Sequence, residues 1–182
     1  LGTTALTIPE GYKLSDIAAA VEKATQGRVS AADFTSAASD AKAYAADFSF
    51  LASAPDGVSL EGFLFPKTYD LGSDATADSI IRMMLTQFGN ETASLDWSYA
   101  ESRGLSVYDA VTLASIVEKE STGDEEIRSQ VAEVFYNRLS SRNTETNGFL
   151  QSDATTGIFQ HNPFTWLVDD TDFLYQEGLN AS

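Results

Sequence analysis

Ser106-Val107-Tyr108-Asp109-Ala110-Val111-Thr112-Leu113-Ala114-Ser115-Ile116-Val117-Glu118-Lys119-Glu120-Ser121 reads as one helix with its start written into it. Ser106 and Asp109 have capping-box spacing, so each side chain can satisfy a backbone N–H that the first turn leaves open. Val107, Ala110, Val111, Leu113, Ala114, Ile116 and Val117 then cover most of the circumference, which predicts the most buried helix of the chain. A turn at Thr122-Gly123-Asp124 leads to a second helix, where Ile127, Val131, Val134, Phe135 and Leu139 recur at helical spacing.

Working towards the N-terminus, Ile80, Ile81, Met84, Leu85 and Phe88 mark an amphipathic helix beginning near Thr76. The stretch from Leu60 to Tyr69 is aromatic and broken by Gly62 and Pro66, so an irregular strand or ordered loop is expected. Leu6 to Gly11 alternates like a short strand, and Leu14, Ile17, Ala18 and Val21 predict a helix from about Ser15 to a stop at Gly27. Ser30 and Asp33 form another capping box, opening an alanine-rich helix through Phe34, Ala37, Ala41 and Tyr44. After Gly148 the pattern is loop-like, and the Asp169-Asp170-Thr171-Asp172 run lacks the alternating ligand spacing of an EF-hand. The sum is a single α+β domain over 1–182, predominantly helical, with short strands.

Composition limits the chemistry. The chain has 182 residues, 27 acidic against 11 basic side chains and a net charge of -16. Nucleic acid needs a basic stripe to displace its counterions, and an anionic membrane surface makes the same demand; neither is met. There is no cysteine, which excludes thiolate nucleophiles, disulfides and zinc ribbons, and the one histidine, His161, leaves no histidine-based metal site and no obvious Ser-His-Asp triad. Proton transfer must fall mainly to carboxylates, with no metal and no cofactor. No apolar run approaches the ~20 residues of a membrane span. Leu1-Gly2-Thr3 shows no signal peptide and reads as cut from something longer, so a preceding anchor is compatible with it.

Two carboxylates stand out at the end of the opening helix. At about 100° per residue, Lys119 points away from the apolar sector while Glu118 and Glu120 fall on its opposite borders. Glu120 neighbours Leu113 and Ile116; Glu118 neighbours Val111 and Ala114. Half-burial of either would raise its carboxyl pKa towards the range of a general acid, and the negative end of the helix dipole pushes the same way. The helical wheel does not choose between them, and two glutamates at a helix end commonly do no more than solvate it.

The segment from Leu113 to Ser121 resembles the catalytic motif of the endolytic murein transglycosylases, the YceG-like or MltG family. Three further blocks agree in order. Leu6 to Gly11 is similar to that family's I-P-E-G opening, and Glu61 to Tyr69 to its E-G-x-L-F-P-x-T-Y block. Val134-Phe135-Tyr136-Asn137-Arg138-Leu139 with Leu150-Gln151-Ser152-Asp153 is similar to its V-F-Y-N-R-L and L-Q-S-D pair. Two departures accompany the match. Ala154-Thr155 stand where the family has Pro-Thr, and the chain stops at Ser182 where a G-L-P-P-G-P-I segment is expected.

The resemblance implies that Glu120 is the general acid/base of a lytic transglycosylase. The bond cut joins N-acetylmuramic acid to N-acetylglucosamine within glycan strands, leaving 1,6-anhydro ends. It implies softer roles for Gln151, Ser152 and Asp153 at sugar hydroxyls and acetamido groups, although Asp153 equally suits a turn. Asn137 is a candidate substrate contact, Tyr69 a groove-lining aromatic and Glu61 a partner behind them; solvated or core positions serve each of these residues as well. By the same resemblance the substrate is peptidoglycan, its synthases are partners, and the site is the extracytoplasmic face of the cell membrane. The portions expected to be missing are an N-terminal membrane helix with a small LysM-like module, and a C-terminal segment. Two other classes compete: a muramidase using Glu118 and water, and a peptidoglycan-binding module without turnover.

Overall fold

The computed structural model describes residues 2–120 and 125–139. They form an α+β architecture, mainly helical with one small sheet, divided into two compact units, Leu1–Asp96 and Trp97–Ser182.

The first unit begins with β1 (Thr4–Thr7), which pairs antiparallel with β2 (Thr68–Leu71) in the register Thr4↔Leu71 to Thr7↔Thr68. Leu6, Tyr69 and Leu71 are buried on the sheet's inner face, as a period of two requires. The helix after β1, α1 (Leu14–Ala24), buries the four residues whose spacing predicted it. Its end differs in one detail from the sequence expectation. Gly27 N–H bonds Glu22 C=O at 2.8 Å and Gln26 N–H bonds Lys23 C=O at 3.2 Å, a Schellman arrangement. Its left-handed residue after the cap is therefore Gln26 (φ 54), with Gly27 following at φ 80.

Ser30 caps α2 (Ala31–Ala37) through Asp33 N–H at 3.0 Å, but the alanine-rich helix does not run on to Tyr44. Ala38 C=O accepts Leu60 N–H at 2.8 Å and Ala41 N–H donates to Val58 C=O at 2.7 Å. These backbone groups are thereby taken by another segment, and Asp40 caps a separate 3-10 turn, Ala41–Tyr44. Alanine content signals helix propensity, and here tertiary hydrogen bonds override it.

Beyond β2, α3 (Ala77–Thr92) starts at a Thr76–Ser79 capping box, as the spacing indicated. Ile80, Ile81, Met84 and Leu85 are all at 0% exposure. Phe88 joins Phe50 and Phe63 with ring centroids 4.8 to 6.2 Å apart. The deepest helical stripe among the described residues therefore belongs to α3 and not to the helix read as most buried.

The second unit contains α4 (Ser98–Ser102), α5 (Val107–Glu120) and α6 (Glu125–Leu139). The five-residue α4 carries too little pattern to be seen in the sequence. Its Ala100 packs with Leu105, Leu113, Ile116, Val117 and Phe135 in this unit's core.

Candidate active site

The opening of α5 is built as its sequence dictates. Ser106 N–H donates to Asp109 Oδ2 at 2.8 Å, and Asp109 N–H donates to Ser106 Oγ at 3.2 Å. From this anchored start the helix runs fourteen residues and ends at Glu120. With only 121–124 between them, α5 and α6 pack as an αα-hairpin, closed by Leu113, Ile116 and Val117 against Phe135, with Val131, Ala132 and Leu139 at the margin.

The closure is incomplete on one side, where a groove of about 470 Å³ opens between the helices. Ala110, Ala114 and Val117 of α5 face Ala132 and Tyr136 of α6 across it, with Glu118 and Ser129 also in its walls. The small side chains keep the helices from filling the space. This accounts for the sequence's overestimate of burial: Ala114 is exposed and Val111 only half-buried.

The two glutamates are thereby separated. Glu118 continues the row of Val111 and Ala114 and is exposed in the groove wall, so the half-burial considered for it is absent. Glu120 continues the row of Leu113 and Ile116, which are 3% and 0% exposed. Its backbone closes α5, and its side chain lies outside the described residues, as do Gln151, Ser152 and Asp153 and the acidic run at 169–172.

Asn137 is exposed on α6, next to Tyr136. The Tyr136 ring meets Tyr99 edge-on at 5.1 Å, and burial raises its phenol pKa above the ordinary value. Arg138 lies over Phe135 at 5.8 Å. From the sequence Ser129 has no role, and Tyr136 enters only as a member of the Val134 to Leu139 block. Tyr136 sits one turn beyond Ala132 on α6, a signal that becomes legible only when the helix partner is known.

Glu61 and Tyr69 belong to the first unit, and both are engaged there. Both Glu61 carboxylate oxygens accept Leu14 N–H at 3.0 Å. They serve the first turn of α1, whose preceding residue, Lys13, has no acceptor in its side chain. Tyr69 is 5% exposed and its hydroxyl donates to Phe65 C=O at 2.6 Å. Burial pushes its phenol up to about 12.

A two-unit, mainly helical chain carrying a Glu-Lys-Glu helix end defines the class to which comparison then gives a name. The family model described as the YceG-like family matches residues 2–172, and the chain belongs to that family. An endolytic murein transglycosylase of Streptococcus pneumoniae (strain ATCC BAA-255 / R6) is 39% identical over 147 residues, covering 74% of this chain and 26% of that protein. One of the same description from Bacillus subtilis (strain 168) is 35% identical over 97 residues, covering 53% of this chain and 25% of its own length. The chain thus spans about a quarter of these relatives. A crystal structure of a yceG-like protein from Listeria monocytogenes superposes with a TM-score of 0.67 at 28% identity, covering 87% of this chain and 53% of that one.

Proposed function

We propose that this protein cuts peptidoglycan as a lytic transglycosylase, with Glu120 as the one acid/base. The observation that carries the reading is membership of the YceG-like family across residues 2–172, together with the relatives named endolytic murein transglycosylases. The register of Glu120, in line with the buried Leu113 and Ile116, supports it over Glu118.

The reaction needs one carboxyl group used twice. Protonated Glu120 gives its proton to the glycosidic oxygen as the bond from muramic acid C1 breaks. The carboxylate then takes the proton of the same sugar's C6 hydroxyl, and O6 closes on C1 to form the 1,6-anhydro ring. The proton count on the enzyme returns to its start. Because the nucleophile belongs to the substrate, neither a second carboxylate nor a metal is called for. Asn137 and the Gln151-Ser152-Asp153 segment take polar groups of the glycan in this reading. Glu61 and Tyr69 serve as framework of the first unit, a role supported by their bonds to Leu14 and Phe65. The substrate carries a location with it: the cell envelope, on the extracytoplasmic face, with the protein tethered to the membrane beside the synthases that extend the strands.

The test is digestion of purified sacculi followed by mass spectrometry. Anhydro ends are expected from the wild type and are lost in Glu120→Gln, with the far-ultraviolet circular dichroism unchanged. Reducing ends that vanish in Glu118→Gln would instead establish a hydrolase. Unaltered cell-wall phenotype in Glu120→Gln cells would establish a binding module.

A further inference from the structure

We propose that the outer edge of β1 is a strand-addition site for an extended peptide bearing a carboxylate. Ile8 N–H donates to Lys67 C=O at 3.0 Å, which fixes the phase of the ladder. Thr4 and Leu6 then direct their main-chain groups to β2, while Ala5 and Thr7 direct theirs the other way. The cross-strand Thr7 Oγ1 to Thr68 Oγ1 contact of 3.0 Å agrees, since side chains approach closest at pairs without main-chain bonds. Ala5 and Thr7 are exposed, and their outward N–H and C=O groups have no hydrogen-bond partner among the described residues.

This edge does not face open solvent on a flat surface. It forms one wall of a groove of about 840 Å³ whose other wall is α1. There Ala20 and Ala24, one turn apart, keep the wall thin enough to leave the groove open. Two charges line it. Asp16, one of whose carboxylate oxygens accepts Lys13 N–H at 3.1 Å, lies two helical turns from Lys23 along α1. Lys23 makes no ion pair among the described residues. A strand edge opposite a small-residue helix is the arrangement that accepts a peptide by β-augmentation, and alternating main-chain donors and acceptors suit a polypeptide better than a sugar ring. The unmatched Lys23 selects an acidic side chain within that peptide.

The experiment titrates the isotope-labelled 182-residue chain with acetyl-Thr-Val-Glu-Val-Thr-amide and follows amide resonances. Saturable downfield shifts are expected at Ala5 and Thr7, with little change at Leu6, whose groups face β2. N-methylation of one β1-facing amide of the probe is expected to weaken binding about tenfold, the loss of one hydrogen bond. Exchanging the probe's Glu for Lys weakens it for the wild type and strengthens it for Lys23→Glu. Ala5→Pro, which removes an outward N–H and leaves the β1–β2 ladder its bonds, abolishes the shifts; the N-methylated probe tests the same bond without altering the protein. The proposal is overturned by the absence of saturable shifts at probe concentrations on the order of millimolar. It is equally overturned if the N-methylated probe binds as well, if the edge is occupied by concentration-dependent self-association, or if a chitin oligosaccharide moves Ala5 and Thr7 and the peptide does not.

Discussion

Replacing Glu61 by Ala isolates a helix cap delivered from 47 positions away in the sequence. Leu14 N–H is an orphan of the first turn of α1, held by both carboxylate oxygens at 3.0 Å in a part-buried setting. Losing a side-chain acceptor at a helix start costs about 1–2 kcal/mol, and losing a negative charge at the positive end of the dipole adds about 0.3–1 kcal/mol. The sum is about 2 kcal/mol for Glu61→Ala. Glu61→Gln, which keeps one acceptor and loses the charge, should cost about half as much. Because the chain has two units, the appropriate readout is native-state amide exchange at Leu14, Ile17 and Val21. A loss of about 2 kcal/mol raises their opening equilibrium roughly thirtyfold. The reasoning fails if exchange of these amides in Glu61→Ala stays within a factor of two of the wild type. It also fails if the variant keeps wild-type exchange but loses turnover, because Glu61 would then be acting on the substrate.

Three other outcomes follow from the geometry. Gln26→Gly should stabilise the first unit by about 0.5–1 kcal/mol in native-state amide exchange, since a side chain at φ 54 is strained and glycine is not. Thr25→Val, at a site 2% exposed, should cost about 1–2 kcal/mol by the same assay. It keeps the shape but removes the hydroxyl that donates to Val21 C=O at 2.8 Å and accepts Val29 N–H at 3.2 Å. Burial raises the phenols of Tyr69 and Tyr108 from 10.0 to about 12, so stability from both is complete below pH 10. As pH rises from 10 to 12 the unfolded chain ionises first, and each tyrosine should cost about 2–3 kcal/mol by the upper end. Absorbance at the phenolate band should accordingly show a late-titrating component that shrinks in Tyr69→Phe and in Tyr108→Phe.

Elements whose information is local could be read from the sequence. The Ser106–Asp109 and Thr76 starts, the buried face of α1 and the paired helices α5 and α6 all rest on residues within a turn or two of each other. Errors arose where a partner distant in sequence decides. The alanine-rich helix stops at Ala37 because residues 58–60 claim its backbone, and α5 is less buried than its composition implies because α6 meets it with Ala132 and Tyr136. At the site, the helical wheel could place Glu118 and Glu120 on two borders of one sector. Only the packing of α6 shows which border is open. Ile127 and Val134, read as part of the apolar face of α6, are 43% and 48% exposed, the converse case of a pattern without a neighbour to bury it.

The distance along the chain between Glu61 and Leu14 also has a consequence for biosynthesis. As the polypeptide leaves the ribosome, α1 emerges long before the carboxylate that completes its first turn, and β1 emerges before its only described partner strand at Thr68–Leu71. An isolated eleven-residue helix is marginal in water, and an unpaired strand has nothing to join. β1 must therefore wait, unpaired, until Thr68–Leu71 has been made, and α1 lacks its Glu61 cap over most of that interval. A pause in translation between Leu14 and Glu61 would lengthen the interval in which the unpaired β1 edge is open to the wrong partner.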